Sequence, residues 1–158
     1  MLRVAFAPGE LALPRETILA WVAACADAVA HYFGALPARE AALLIVPVPG
    51  RGVRGGTTYG YRGAASRILL GRDSTRADLE RDWVLVHELT HHAMPFLPHD
   101  HHWMEEGLAT YVEPIARAQR GRLRAESVWL DLLAGLPKGL PGEGDRGLAG
   151  TPTWGRTY

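Results

Sequence analysis

Two imidazoles and a carboxylate stand together in His87-Glu88-Leu89-Thr90-His91, and an acidic stretch, Trp103-Met104-Glu105-Glu106-Gly107-Leu108-Ala109-Thr110-Tyr111, follows with fourteen residues between His91 and Glu106. If the first segment is helical, its histidines lie one turn apart on the same face, which suits two corners of a tetrahedral zinc site. Glu88 is placed to reach a water acidified by the metal, take its proton and pass it to a leaving amine. The third ligand must come from a neighbouring element, and Glu105 and Glu106 both have the right chemistry. On a helix they point about 100° apart, so only one of them faces the histidines. The chemistry on offer is zinc-assisted hydrolysis of an amide.

The elements that must position these groups are legible in outline. Thr75 is expected to cap a helix beginning at Arg76-Ala77-Asp78, and the pattern Leu79, Trp83, Val84, Val86, Leu89, Met94 carries that helix through both histidines. Pro95 and Pro98 end it, and a second helix is expected from Asp100 or His101 to about Ala118, with Pro114 as a bend or break. Upstream, residues 2 to 6 read as a short strand. A helix spans Pro14 to Phe33 on the spacing of Ile18, Leu19, Val22, Ala26, Val29 and Phe33, and Gly34 ends it. Ala42 to Pro47 and Ser66 to Leu70 are short, branched runs that favour strands. Between them Gly50 to Gly60 holds too many glycines for a central strand, and is expected as a mobile loop leading into a short edge strand. A further helix is expected from Ala125 to Leu133, followed by a Gly/Pro-rich stretch and an aromatic ending in which Trp154 and Tyr158 should pack against something.

Composition bounds the rest. The chain has 158 residues, 47% of them hydrophobic, which suits one domain over 1–158 with a real core and no disulfide scaffold. Basic and acidic residues balance at seventeen each, and the cations are scattered, so nucleic acid is a poor partner and nothing draws the chain to anionic membrane. The one cysteine, Cys25, lies in an apolar segment and reads as a buried thiol. There is no apolar run long enough to span a bilayer and no secretory leader pattern at the start, so a soluble chain is expected. The glycine-rich stretch lacks the Gly-Lys-Ser/Thr of a phosphate loop; its Arg51 and Arg54 read as solvated, or as a weak preference for an acidic substrate.

Plainer readings stand beside the catalytic one. A solvated helix end accounts for His91, His92, His99, His101 and His102; His92 and the last three read as surface histidines that could also bind metal weakly, and one of His99 to His102 is an alternative oxyanion donor. Glu105 reads as a surface acid or a support to the ligands, Glu106 as a salt-bridge partner if no metal binds, and Glu113 as a packing residue. Neither plain reading explains why the two motifs occur together. The alternatives to a hydrolase are a non-catalytic zinc-bearing peptidase-like module and a metal-free peptide-binding or assembly module.

The helix pair, His-Glu-x-x-His and then Trp-x-x-Glu-Gly-Leu-Ala-x-Tyr-Val-Glu, resembles the catalytic domain of the gluzincin metallopeptidases, the group that includes thermolysin and the neutral aminopeptidases. The resemblance covers about residues 35 to 158 and runs off the end, which implies a catalytic domain left incomplete at its C-terminus. It implies an enzyme acting on a peptide or protein substrate with zinc held by His87, His91 and Glu106, since the Glu of the Glu-Gly pair is the third ligand. Thr110 fits the aminopeptidase branch. In that branch a tyrosine faces the metal and donates to the oxyanion, and Arg156-Thr157-Tyr158 resembles its lead-in, which makes Tyr158 a candidate transition-state stabiliser. The ligand interval is a few residues shorter than in that branch, and the stretch matching its amine-binding edge strand, Gly55 to Gly60, has no acid. An extended peptide can still pair with such an edge through its backbone. The expected fold is α+β and zincin-like, a small mixed or antiparallel sheet with an exposed edge strand packed on helices that carry the zinc-binding pair.

Overall fold

In the computed structural model, which describes residues 1–60, 63–95, 97–140, 143–144 and 146–148, the α+β architecture holds. The elements run β1 (Leu2–Phe6), α1 (Arg15–Phe33), β2 (Ala41–Val48), β3 (Val53–Tyr59), β4 (Ala64–Gly71), α2 (Arg76–Arg81), α3 (Val84–Thr90), α4 (His102–Gln119) and α5 (Ala125–Gly135). The four strands form one mixed sheet in the order β1-β2-β4-β3. β1, β2 and β4 are parallel, with Leu2 opposite Ala41 and Ala41 opposite Ala64, and β3 runs antiparallel along the outer side of β4.

Alternation along the strands explains the single core. On β2 the buried positions Ala41, Leu43 and Ile45 alternate with Ala42 and Leu44, which face solvent, so one face of the sheet is covered and the other is open. The covered face takes Ile18, Val22, Cys25 and Val29 of α1, Leu85 and Leu89 of α3 and Val112 of α4. Each large aliphatic side chain buried there contributes on the order of 1.5–3 kcal/mol. The buried stripe of α1 also includes Trp21, while Leu19 and Phe33, expected inside on spacing, stay exposed at its margins. Gly34 ends α1 with φ +81°, a left-handed conformation that glycine adopts without steric cost.

Three expectations need correction. The glycine-rich stretch is not chiefly a loop: β3 is a seven-residue edge strand, in register with β4 from Gly55 to Tyr59 after a shift between Val53 and Gly55. The expected single helix from Arg76 to Met94 is two. Thr75 and Asp78 form a reciprocal capping box at the start of α2, but Asp82 then takes extended backbone, φ −63° and ψ 138°. Its carboxylate accepts from the amides of Val84, at 3.0 Å, and Leu85, at 3.1 Å, and so restarts the helix as α3. α4 runs through Pro114 unbroken. The amide that proline lacks would have bonded Thr110, which is exposed, so its carbonyl is open to water. No helix among the described residues is long and apolar enough to cross a membrane.

Candidate metal centre

α3 presents the first motif from inside the core. Leu85, Val86 and Leu89 bury its lower face, and His87 and Glu88 are buried with them. Helical hydrogen bonding stops at Thr90, whose hydroxyl donates back to the Val86 carbonyl at 2.8 Å, and Met94 is extended ahead of Pro95. His91 opens the short 3-10 turn His91–Ala93 with helical backbone angles, φ −56° and ψ −24°, so it still lies one turn above His87. α4 packs across α3 and supplies Glu106.

Three ligating atoms converge there. His87 Nε2 is 3.0 Å from Glu106 Oε2 and 3.1 Å from His91 Nε2, and His91 Nε2 is 3.6 Å from Glu106 Oε1. Among the described residues this is the group of histidine, cysteine and acidic side chains able to hold a metal ion. Bonds of about 2.0–2.1 Å to a tetrahedral zinc place ligand atoms about 3.3 Å apart, so the spacing fits such an ion. The donor set fits as well: two imidazole nitrogens and a carboxylate have lone pairs aimed at one point and too few protons to satisfy them. Burial pushes the His91 ring down to about 4 against the pull of Glu106, with His87 and His102 adding to the fall, so the ring is neutral at ordinary pH and could ligate a metal ion. Burial works against the charge of Glu106, but the hydrogen bond with His87 and the charges of His91 and His102 outweigh it and hold the carboxyl below its usual range. The His87 ring is wedged edge-on against Trp83, with centroids 5.6 Å apart. Its Nδ1 is buried with no hydrogen-bond partner among the described residues, so the converging ligands alone dictate the role of Nε2.

Glu88 points the other way, to the edge strand. The Thr58 hydroxyl lies 2.7 Å from Glu88 Oε2 and 2.8 Å from the Glu88 carbonyl. Burial raises the carboxyl above its usual range despite the opposing effect of the Thr58 hydrogen bond. β3 can pass this close only because Gly56 has no side chain: an added Cβ would sit 2.4 Å from Glu88 Cγ. A cleft of about 480 Å³ lies between Gly56 to Thr58 on one side and His91, His102 and Glu106 on the other, with Glu88 at its floor.

The structure places the remaining candidates unequally. Glu105 also lines the cleft but is not in the His87–His91–Glu106 group; it accepts from the Leu97 amide at 2.7 Å, holding the connection between α3 and α4. Glu113 pairs with Arg117 at 2.6 Å inside the core. His102, read as a surface histidine, is half exposed yet reaches Glu106 Oε1 at 3.3 Å and lines the cleft. His101 is exposed. Arg51 is bound to Asp78 at 3.1 Å and so belongs to the capping of α2. Tyr158, Trp154 and the side chain of His99 lie outside the described residues. Sequence reasoning missed Thr58, Ser66 and His92, which join behind Glu88; only the glycines of β3 signalled a close backbone approach. Comparison with protein-family models and with curated proteins finds no match for this chain.

Proposed function

We propose that this chain is a zinc-dependent peptide hydrolase of zincin-like, gluzincin type. The observation that carries the reading is the convergence of His87, His91 and Glu106, of which His91 and Glu106 line the same cleft as a buried carboxylate, Glu88, that is not part of the ligand set. A zinc ion held by these three residues supplies a Lewis acid that acidifies water and polarises a carbonyl. Glu88 acts as general base: it accepts the proton of the attacking water and returns it to the leaving nitrogen. Its raised proton affinity brings it closer to neutrality, where proton transfer in both directions is efficient.

A peptide is favoured over a compact substrate because the cleft is bordered by the outer edge of β3, which has no neighbouring strand among the described residues. An extended chain can pair with that edge and lay a scissile amide over Glu88. No acid on β3 is available to grip a free amine, so internal peptide bonds are the expected targets.

Metal analysis of wild type, Glu106→Ala and Glu105→Ala, followed by digestion of an unstructured protein by the zinc-loaded wild type and Glu88→Gln, tests the reading. The expected result is one zinc per chain, lost with Glu106→Ala and kept with Glu105→Ala, and cleavage that Glu88→Gln abolishes while keeping its zinc. Folded wild type without zinc overturns the proposal. Full zinc without cleavage leaves a zinc-bearing module that is not an enzyme.

A further inference from the structure

Behind Glu88 a row of hydrogen bonds leads away from the cleft. Thr58 Oγ1 lies 2.7 Å from Glu88 Oε2 and 3.0 Å from Ser66 Oγ, and Ser66 Oγ lies 3.0 Å from His92 Nε2. The row crosses three elements: β3, the neighbouring β4, and the turn that follows α3. Ser66 is buried and His92 partly so, where unpaired polar groups are costly.

With Glu88 ionised, the proton directions in this row follow from its donors and acceptors. An ionised carboxylate only accepts, and so does the Glu88 carbonyl, 2.8 Å away, so the single hydroxyl hydrogen of Thr58 goes to Glu88 whichever oxygen takes it. Toward Ser66, Thr58 then has only a lone pair to offer. Ser66 donates its one hydrogen to Thr58 and must accept from the ring, so His92 carries hydrogen on Nε2. We propose that His92, Ser66 and Thr58 form a one-directional hydrogen-bond chain that fixes the carboxylate of Glu88 in the cleft, with Thr58 as a positioning residue. The chain gives the second histidine of His91-His92 a role distinct from metal ligation. It also couples the edge strand to the general base, so that the element that would hold the substrate also aims the proton acceptor.

The effect on turnover rests on the hydrolase reading; the chain itself does not, and the experiment separates the two. Ring nitrogen NMR of the zinc-loaded protein near pH 8, with His92 assigned through His92→Gln, is expected to show the Nε2–H tautomer in wild type, and a loss of that preference in Thr58→Val. In peptide hydrolysis Thr58→Val is expected to lower kcat about 10–100-fold while KM and zinc content stay put. Thr58→Ser, which keeps the donor, and His92→Gln, whose amide can stand in for Nε2–H, should each keep most of the wild-type kcat. An Nδ1–H tautomer of His92 in wild type overturns the chain whether or not the protein hydrolyses anything. Wild-type kcat in Thr58→Val overturns the positioning role and leaves the hydrolase intact. If zinc-loaded wild type has no turnover, the hydrolase reading and the role of Thr58 in it fall together, and the tautomer still decides whether the chain exists.

Discussion

A methyl group added at Gly56 lies 2.4 Å from Cγ, 2.6 Å from Oε1 and 2.7 Å from Cδ of Glu88. Carbon atoms in ordinary contact stay about 3.5 Å apart, so Gly56→Ala demands a relative shift of roughly 1 Å between the edge strand and the carboxylate. The backbone of Gly56 is outside the left-handed region, and within a strand alanine is intrinsically favoured by roughly 0.5–1 kcal/mol. Overpacking of this kind costs about 1–3 kcal/mol, which outweighs that gain. The overlapping atoms all lie beyond Cβ of Glu88, so Glu88→Ala removes them. Gly56→Ala is therefore expected to destabilise the wild-type protein and to be neutral or mildly stabilising in the Glu88→Ala background, a coupling of about 1–3 kcal/mol. Urea denaturation of the four proteins of this cycle measures it. An equal loss in both backgrounds refutes the fit of β3 over Glu88. In an active protein the same 1 Å shift lowers kcat/KM about 100-fold, with zinc content unchanged because none of the three ligands is touched.

Burial raises the Cys25 thiol to about 12, whereas an unfolded thiol ionises near 9, so the folded state keeps a proton that the unfolded state gives up. Stability therefore falls as pH rises from about 9 to about 12, by at most about 4 kcal/mol, and Cys25→Ala should remove that part of the slope in denaturation measured against pH. Asp82→Ala is expected to cost about 0.5–2 kcal/mol and to speed hydrogen exchange at the Val84 and Leu85 amides; Asp82→Asn, still a good cap, should cost less, and equal effects would remove the capping account of the helix break. Arg117→Met leaves Glu113 buried without its partner and should cost about 3–5 kcal/mol by thermal or chemical denaturation, while Glu113→Leu with Arg117→Met should fall near wild type.

Local pattern made much of the architecture legible. The α1 stripe, the branched runs of β2 and β4, the Thr75 cap and the prolines after α3 each act through near neighbours, and each element stands within a few residues of its expected place. Two of the misreadings have different origins. The edge strand expected at the end of the glycine-rich stretch starts as early as Val53 because β4 is beside it to supply hydrogen bonds, and the lack of a side chain at Gly56 is what lets it pass over Glu88. Asp82 interrupts an apolar period that would otherwise join α2 to α3, and its capping role was readable in principle, as an Asp just ahead of Val84-Leu85-Val86.

The sequence by itself determined the chemistry on offer: His87 and His91 at one-turn spacing, a carboxylate beside them and acids on a following helix, because helical geometry fixes which residues four apart share a face. Helical geometry alone left Glu105 and Glu106 equivalent, and only the resemblance to gluzincins favoured Glu106. Packing of α4 on α3 decided between them, turning Glu106 to the histidines and Glu105 to the Leu97 amide. Packing also pressed β3 against Glu88 and gathered Thr58, Ser66 and His92, up to 34 positions apart, into one row. Spacing within one element is set by its backbone period, but contact between elements depends on which faces are buried together, and that is a property of the whole core.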